Sequence, residues 1–171
     1  LMPLPELTIC AFGYLGDQLV AQASWRETKM ILDTNFLGAV SVLNEIANIY
    51  EEQKRGTIVG ISSVAGDRGR RSNYIYGSAK AGFSAYLSGL RQRLYPSGVN
   101  VISVKPGFVK TKMTRHLKLP VFLTASPSEV AKRIELAISK RQNIIYVKFI
   151  WKYVMLVIKL IPESIFKRIR L

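Results

Sequence analysis

Short, continuous apolar runs alternate along this chain with longer stretches in which apolar side chains recur every three or four positions. LTICAFG (7–13) predicts a buried strand closing on a glycine turn, and GTIVGISS (56–63), VNVISVKPG (99–107) and NIIYVK (143–148) predict three more strands. GDQLVAQA reads as a loop or short helix. Between the first two strands, Met30, Ile31, Phe36, Leu37, Val40, Leu43, Ile46 and Ala47 keep helical spacing, so one long helix is expected to about Gln53. Ser24 and Glu27 have capping-box spacing at its start, and Gly56 ends it. A second helix is expected from Tyr76 to about Leu94, with Ala79, Phe83, Tyr86, Leu87 and Leu90 inward and Pro96 and Gly98 as its stop. Ser126, Pro127 and Glu129 open a third, which runs to about Lys140. The order β-α-β-α-β-α-β with uninterrupted apolar strands predicts an α/β fold, a parallel sheet with helices on both faces.

The last 23 residues break this pattern. From Phe149 to Ile161 only Lys152 and Lys159 interrupt an apolar run, and Lys167, Arg168 and Arg170 follow. That run is too short to span a bilayer. It reads either as an interfacial amphipathic tail (149–171) attached to a domain at 1–148, or as an ordinary helix packed on the core or on a partner subunit.

Charge sharpens this picture. The net charge is +14, yet residues 1–85 hold eight basic and eight acidic side chains, whereas residues 86–171 hold seventeen and three. The imbalance points to an anionic partner for the second half, a membrane surface or a phosphorylated substrate, against the plainer alternative of a solvated basic face. No helix-turn-helix, zinc-binding or RNA-binding signature accompanies it, so nucleic acid is not expected. The single cysteine, Cys10, lies in an apolar run and reads as a buried, reduced thiol, which a reducing cytoplasm suits.

The chemistry concentrates in ISSVAGDRGRRSNYIYGSAK (61–80). Tyr76 and Lys80 are one helical turn apart on one face, and Ser63, thirteen residues before Tyr76, closes a strand. Tyr50 also has a lysine four residues on, Lys54, but Leu37 occupies the position of the serine. A nearby ammonium favours a phenolate, so Lys80 is expected to lower the pKa of Tyr76 and make it a general acid or base. Ser63 is placed to hold a carbonyl oxygen. None of the three supplies a hydride, so a cofactor must.

From Leu7 to about Lys148 the chain resembles the short-chain dehydrogenase/reductase family of Rossmann-type enzymes. The resemblance puts Ser63, Tyr76 and Lys80 on the family's catalytic positions. It puts Asn35, in DTNFLGA, on a fourth, an asparagine that kinks its helix and holds a proton-relay water. It implies that Pro106, Gly107, Val109 and Thr111, in KPGFVKT, meet the nicotinamide end of the cofactor, with Tyr76 and Lys80 beside it. Ala11, Phe12 and Gly13 replace the family's Asn-Asn-Ala-Gly motif, leaving Ala11 and Gly13 as cofactor contacts without the two asparagines. The implied cofactor is NADP or NAD, with NADPH favoured, and the implied assembly is a homo-oligomer through 24–53 and 76–94.

AFGYLGDQ, GDRGRRSNYIYGSAKAG and the basic tail are similar to a narrower branch of that family. That branch works with a flavin oxidase to epimerise a polyprenylphosphoryl ribose, reducing a 2-keto sugar to its arabinose epimer. The branch implies a lipid-linked phosphosugar substrate, a flavin oxidase partner, a role in cell-wall synthesis and a place on the inner face of the cell membrane. Lys110, Lys112, Arg115 and Lys118 would suit an anionic substrate. The family's Gly-rich pyrophosphate turn and the residue that selects NAD or NADP are not in these 171 residues. The chain is therefore expected to be the C-terminal part of a longer enzyme, inactive and weak in dinucleotide binding alone, with an exposed first strand. Two alternatives stay open: a family member acting on a soluble alcohol or ketone, and a truncated, non-catalytic membrane-binding module.

Overall fold

The computed structural model describes residues 5–114 and 119–169. Its elements follow the predicted order: β1 Leu7–Cys10, α1 Gln18–Ala21, α2 Trp25–Leu32, α3 Gly38–Gln53, β2 Thr57–Ile61, α4 Tyr74–Leu94 and β3 Asn100–Pro106. The short strands β4 Phe108–Val109 and β5 Thr124–Ala125 precede α5 Pro127–Ser139, β6 Ile144–Val147, α6 Ile150–Leu160 and α7 Glu163–Phe166. The main sheet is parallel throughout in the order β1-β2-β3-β6.

Adjacent strand residues face opposite sides, and the core divides accordingly. Ile58 and Val101 join Leu43, Ala47, Phe83 and Leu87 beneath α3 and α4. Val59 and Ile102 join Val130, Ile134 and Ala137 beneath α5. The α/β arrangement with helices on both faces is thus the one the apolar pattern predicts.

Four local expectations are corrected. β1 is an edge strand, as expected of a first strand without its neighbour, but it is not the buried strand its apolar run predicts: only Cys10 is buried, whereas Leu7 and Ile9 are 44% and 45% exposed. The long helix is not uniform, because a π-helical turn at Asp33–Leu37 joins α2 to α3. Ser24 occupies the N-cap of α2 without a side-chain cap bond, and the Glu27 carboxylate that would complete the box is engaged elsewhere, by the Tyr14 hydroxyl at 2.8 Å and the Asp17 N–H at 3.2 Å. The second long helix starts at Tyr74, one half-turn before Tyr76. The capping box at α5 does form, with Ser126 and Glu129 each accepting the other's backbone N–H.

The tail packs on the core along one face, as one of its two readings expected. One face of α6 packs inward through Trp151 and Met155, against Val64, Phe108 and Tyr146. The opposite face leaves Phe149, Tyr153, Leu156, Val157 and Leu160 exposed. No helix among the described residues is long and apolar enough to cross a membrane.

Candidate active site

Parallel strands leave their C-terminal ends on one side of the sheet, and a cleft of about 560 Å³ opens there. Ser63, Tyr76 and Lys80 line it together with Ala11, Gly13, Pro106, Gly107, Val109 and Thr111. Every residue expected to contact a cofactor therefore meets Ser63, Tyr76 and Lys80 in one cavity. Asn35 lies just behind. Lys110 and Lys112 are exposed outside the cleft, and Arg115 and Lys118 fall outside the described residues.

Close backbone packing seats the trio. A methyl group on Gly66 would stand 2.6 Å from the Lys80 carbonyl carbon, and one on Gly77 would stand 2.9 Å from the Ala65 oxygen. Two glycines thus let the 64–66 turn press against α4, which brings Ser63 alongside Tyr76. Ser62 clamps the same junction. Its hydroxyl donates to the Lys80 carbonyl at 3.0 Å and shares a 2.7 Å bond with the Ser84 hydroxyl. Ser63 differs: its Oγ accepts the Ala65 N–H at 3.1 Å, leaving its own proton to donate into the cleft.

Lys80 is buried, with its Nζ donating to the Ile61 carbonyl at 3.0 Å and lying 5.8 Å from the centre of the Tyr76 ring. Burial lowers its pKa to about 8, opposed by the nearby Cys10 sulfur. Cys10 is a free, buried thiol whose own pKa burial raises. Tyr76 runs against expectation. Burial pushes its pKa up to about 12, with the Ser63 hydroxyl pulling the other way. Desolvation outweighs the Ser63 bond, so the phenol keeps its proton at neutral pH.

Asn35 occupies the π turn, where one backbone hydrogen-bonding step is displaced. Its side-chain amide donates to the carbonyls of Tyr14 at 2.6 Å and Ile31 at 2.8 Å, and its Oδ1 accepts the Tyr14 N–H at 3.2 Å. The wide turn and the segment after β1 are thereby tied together. A methyl on Gly13 would stand 3.0 Å from Asn35 Oδ1 and 3.7 Å from Lys80 Nζ, so Gly13 keeps open the space where these two groups converge.

The far wall is built from the tail. Trp151 packs so closely on Gly107 that a methyl there would stand 2.0 Å from its ring, and its Nε1 donates to the Leu123 carbonyl at 3.0 Å. The β4–β5 pair holds Val109 beside Ala125 in that wall. A further buried pair, Lys105 and Asp67 at 2.5 Å with the Tyr146 hydroxyl 2.8 Å from Asp67, fixes the β2–α4 loop to β3 and β6.

The family model described as short chain dehydrogenase matches residues 9–120. The chain belongs to the short-chain dehydrogenase family. It is 35% identical over 164 residues to an uncharacterized oxidoreductase of Streptomyces coelicolor, covering 96% of this chain and 64% of that protein. A 3-oxoacyl-(acyl-carrier-protein) reductase of a Synechocystis species is 30% identical over 129 residues, covering 71% of this chain and 52% of that one. The crystal structure of a short-chain dehydrogenase from Burkholderia cenocepacia in complex with NADP superposes with a TM-score of 0.79 at 20% identity, over 90% of this chain and 66% of that one. The chain thus spans only part of the length of these short-chain dehydrogenases. The family implies a nicotinamide cofactor, and the residues present fit its nicotinamide–ribose end. Lys80 spends one N–H on Ile61 and can offer others to ribose hydroxyls, and the open space at Gly13 lies beside it. Among the described residues no cluster of His, Cys, Asp and Glu could hold a metal ion.

Proposed function

We propose that the full-length protein is an NAD(P)-dependent carbonyl reductase. The observation that carries this reading is the meeting, on one cleft, of the Ser63 hydroxyl, a protonated phenol and a buried ammonium. A reduced nicotinamide, NADPH in preference to NADH, supplies the hydride when bound. The Ser63 hydroxyl donates to the substrate carbonyl oxygen and holds it. Tyr76 passes its phenolic proton to that oxygen as negative charge develops there. Lys80 offsets the charge left on Tyr76. Asn35 keeps the turn behind Lys80 in place and maintains the path by which the proton is replaced.

The substrate in this reading is a polyprenylphosphoryl 2-keto-pentose, produced by a flavin oxidase partner. Its support is the surface beside the cleft. The outer face of α6 bears Lys152 and Lys159, and Val121 and Phe122 are 87% and 69% exposed. Such a face suits an anionic membrane, with residues 149–171 resting on the cytoplasmic leaflet and the cleft receiving a lipid-linked sugar. The protein would act as a homo-oligomer through the helices at 24–53 and 76–94, where Leu37 and Val42 are exposed.

Turnover of this keto sugar with NADPH by the full-length protein is the direct test. Tyr76→Phe is expected to lower kcat at least a thousandfold while cofactor affinity stays within twofold. Near-normal turnover in that variant would end the mechanism. Reduction of soluble ketones only, unaffected by loss of 149–171, would end the substrate reading.

A further inference from the structure

The loop between β2 and α4 carries three arginines with different surroundings. Arg68 is fully engaged. Its guanidinium donates to the carbonyls of Ile158 and Ile161, each at 2.6 Å, pairs with Glu163 at 2.8 Å and lies 3.7 Å above the Phe166 ring. It caps the end of α6, pins the 161–166 segment to the loop and neutralises Glu163.

Arg70 has none of this. Its Nε is shut off from solvent and has no hydrogen-bond partner, and no carboxylate pairs with it among the described residues. Burial also holds its pKa below the ordinary guanidinium value, opposed by the charge of Asp67. A half-buried guanidinium with an unpaired N–H is costly until an anion completes it.

The position of Arg70 says which anion. It lines the catalytic cleft and also a second cavity of about 210 Å³ whose walls include Arg71, Lys167 and Arg168. Among the described residues Glu163 is the one carboxylate on that second wall, and Arg68 already satisfies it. Four cationic side chains therefore face a polar hollow that shares a wall with the carbonyl site. Guanidinium forks match the paired oxygens of a phosphate.

We infer that Arg70, with Arg71, Lys167 and Arg168, forms a phosphate subsite that takes the phosphate group of the substrate whose carbonyl lies at Ser63 and Tyr76. The inference rests on the reductase reading and adds the substrate's anionic group to it. The group is a phosphate ester, whether on a lipid-linked sugar or on a free sugar phosphate. Arg70 borders both cavities, so it sets the separation between carbonyl and phosphate that the site accepts. The cofactor is not its ligand.

The test uses the full-length protein with Arg70→Gln and, as a variant at exposed positions that leaves the fold alone, Arg71→Gln combined with Arg168→Gln. With a water-soluble 2-keto-pentose phosphate, each is expected to raise KM at least tenfold. For Arg71→Gln, Arg168→Gln, KM for NADPH and turnover of the same keto-pentose without phosphate should stay within twofold. A polyprenylphosphoryl keto-pentose in detergent should lose affinity by the same factor if the phosphate alone is recognised, and a loss confined to the free sugar phosphate would overturn that source. Inorganic phosphate should bind the wild-type protein in calorimetry and bind Arg70→Gln at least tenfold more weakly. Equal phosphate binding by both would overturn the subsite even if the enzyme reduces ketones. Phosphate binding that Arg70→Gln abolishes, in a protein that reduces no ketone, would support the subsite and overturn the reductase reading alone.

Discussion

The Lys80 ammonium donates to the carbonyl of Ile61 across 3.0 Å, the last residue of β2 holding the charge that sits under the tyrosine. This contact ties α4 to the sheet at the cost of burying a cation. Its folded pKa of about 8 lies below the ordinary 10.5. Below pH 8 folded and unfolded chains are both protonated and the cost is constant. Between 8 and 10.5 the unfolded chain holds the proton that the folded chain has lost, so the stability contributed by this residue rises with pH. That gap corresponds to about 3 kcal/mol. Lys80→Met removes the buried charge and leaves the Ile61 carbonyl unpaired, a loss of about 1–3 kcal/mol. The variant should match or exceed the parent in urea melts at pH 7 and fall behind it at pH 10. A stability difference that does not change between those pH values would show that Lys80 is not desolvated.

The same residue should govern activity. With the pKa of Tyr76 pushed up to about 12, its proton remains available through the working range. Lys80 loses its charge first. For carbonyl reduction, kcat/KM is expected to be flat below pH 8 and to fall above it, since this ratio reports groups of the free enzyme. A fall beginning only above pH 10 would assign control to Tyr76 instead.

Neighbouring serines should separate cleanly. Ser62→Ala breaks the clamp to the Lys80 carbonyl and Ser84, and should cost about 1–3 kcal/mol of stability. Ser63→Ala removes a hydroxyl facing the cleft and should lower kcat at least a hundredfold, whereas its effect on melting should be no larger than that of Ser62→Ala, since it leaves the Ala65 N–H unpaired. The reverse assignment would mean that the β2–α4 junction presents the other serine to substrate.

How much of this was legible beforehand follows from which interactions are local. The strands announced themselves because parallel strands covered on both faces are apolar without interruption. Ser63, Tyr76 and Lys80 were recoverable because one helical turn and one strand end fix them. Periodicity hid the π turn, because Ile31, Phe36, Val40 and Leu43 fit an unbroken helix nearly as well, and only the resemblance placed a kink at Asn35. Glu27 looked like a capping partner because Tyr14, which claims it, lies thirteen residues away. The direction of the Tyr76 shift turned on burial, which no spacing reveals. Strands β4 and β5 are two residues long and carry no periodicity at all.

The tail supplies a contact that sequence spacing hides, Trp151 on Gly107, 44 positions apart. Gly107→Ala would place its methyl inside the indole ring, so either Trp151 or the strand end must move. The expected cost is about 1–3 kcal/mol, typical of overpacking. The cleft wall should shift with it, raising KM for cofactor. Unchanged melting would mean that α6 is not seated on the cleft as described.

The outer face of α6 calls for the opposite kind of change. Tyr153 and Val157 are both more than half exposed, so glutamates there leave Trp151 and Met155 packed and the fold intact. On a membrane the same glutamates would set two negative charges against anionic headgroups and remove two apolar anchors. Full-length protein should sediment with vesicles containing phosphatidylglycerol and be released as salt rises, because the attraction of Lys152 and Lys159 is screened. The double variant Tyr153→Glu, Val157→Glu should bind such vesicles at least tenfold more weakly, with melting and turnover of a soluble ketone unchanged. Equal vesicle binding by parent and variant would remove α6 from the membrane and leave its exposed face to a protein partner.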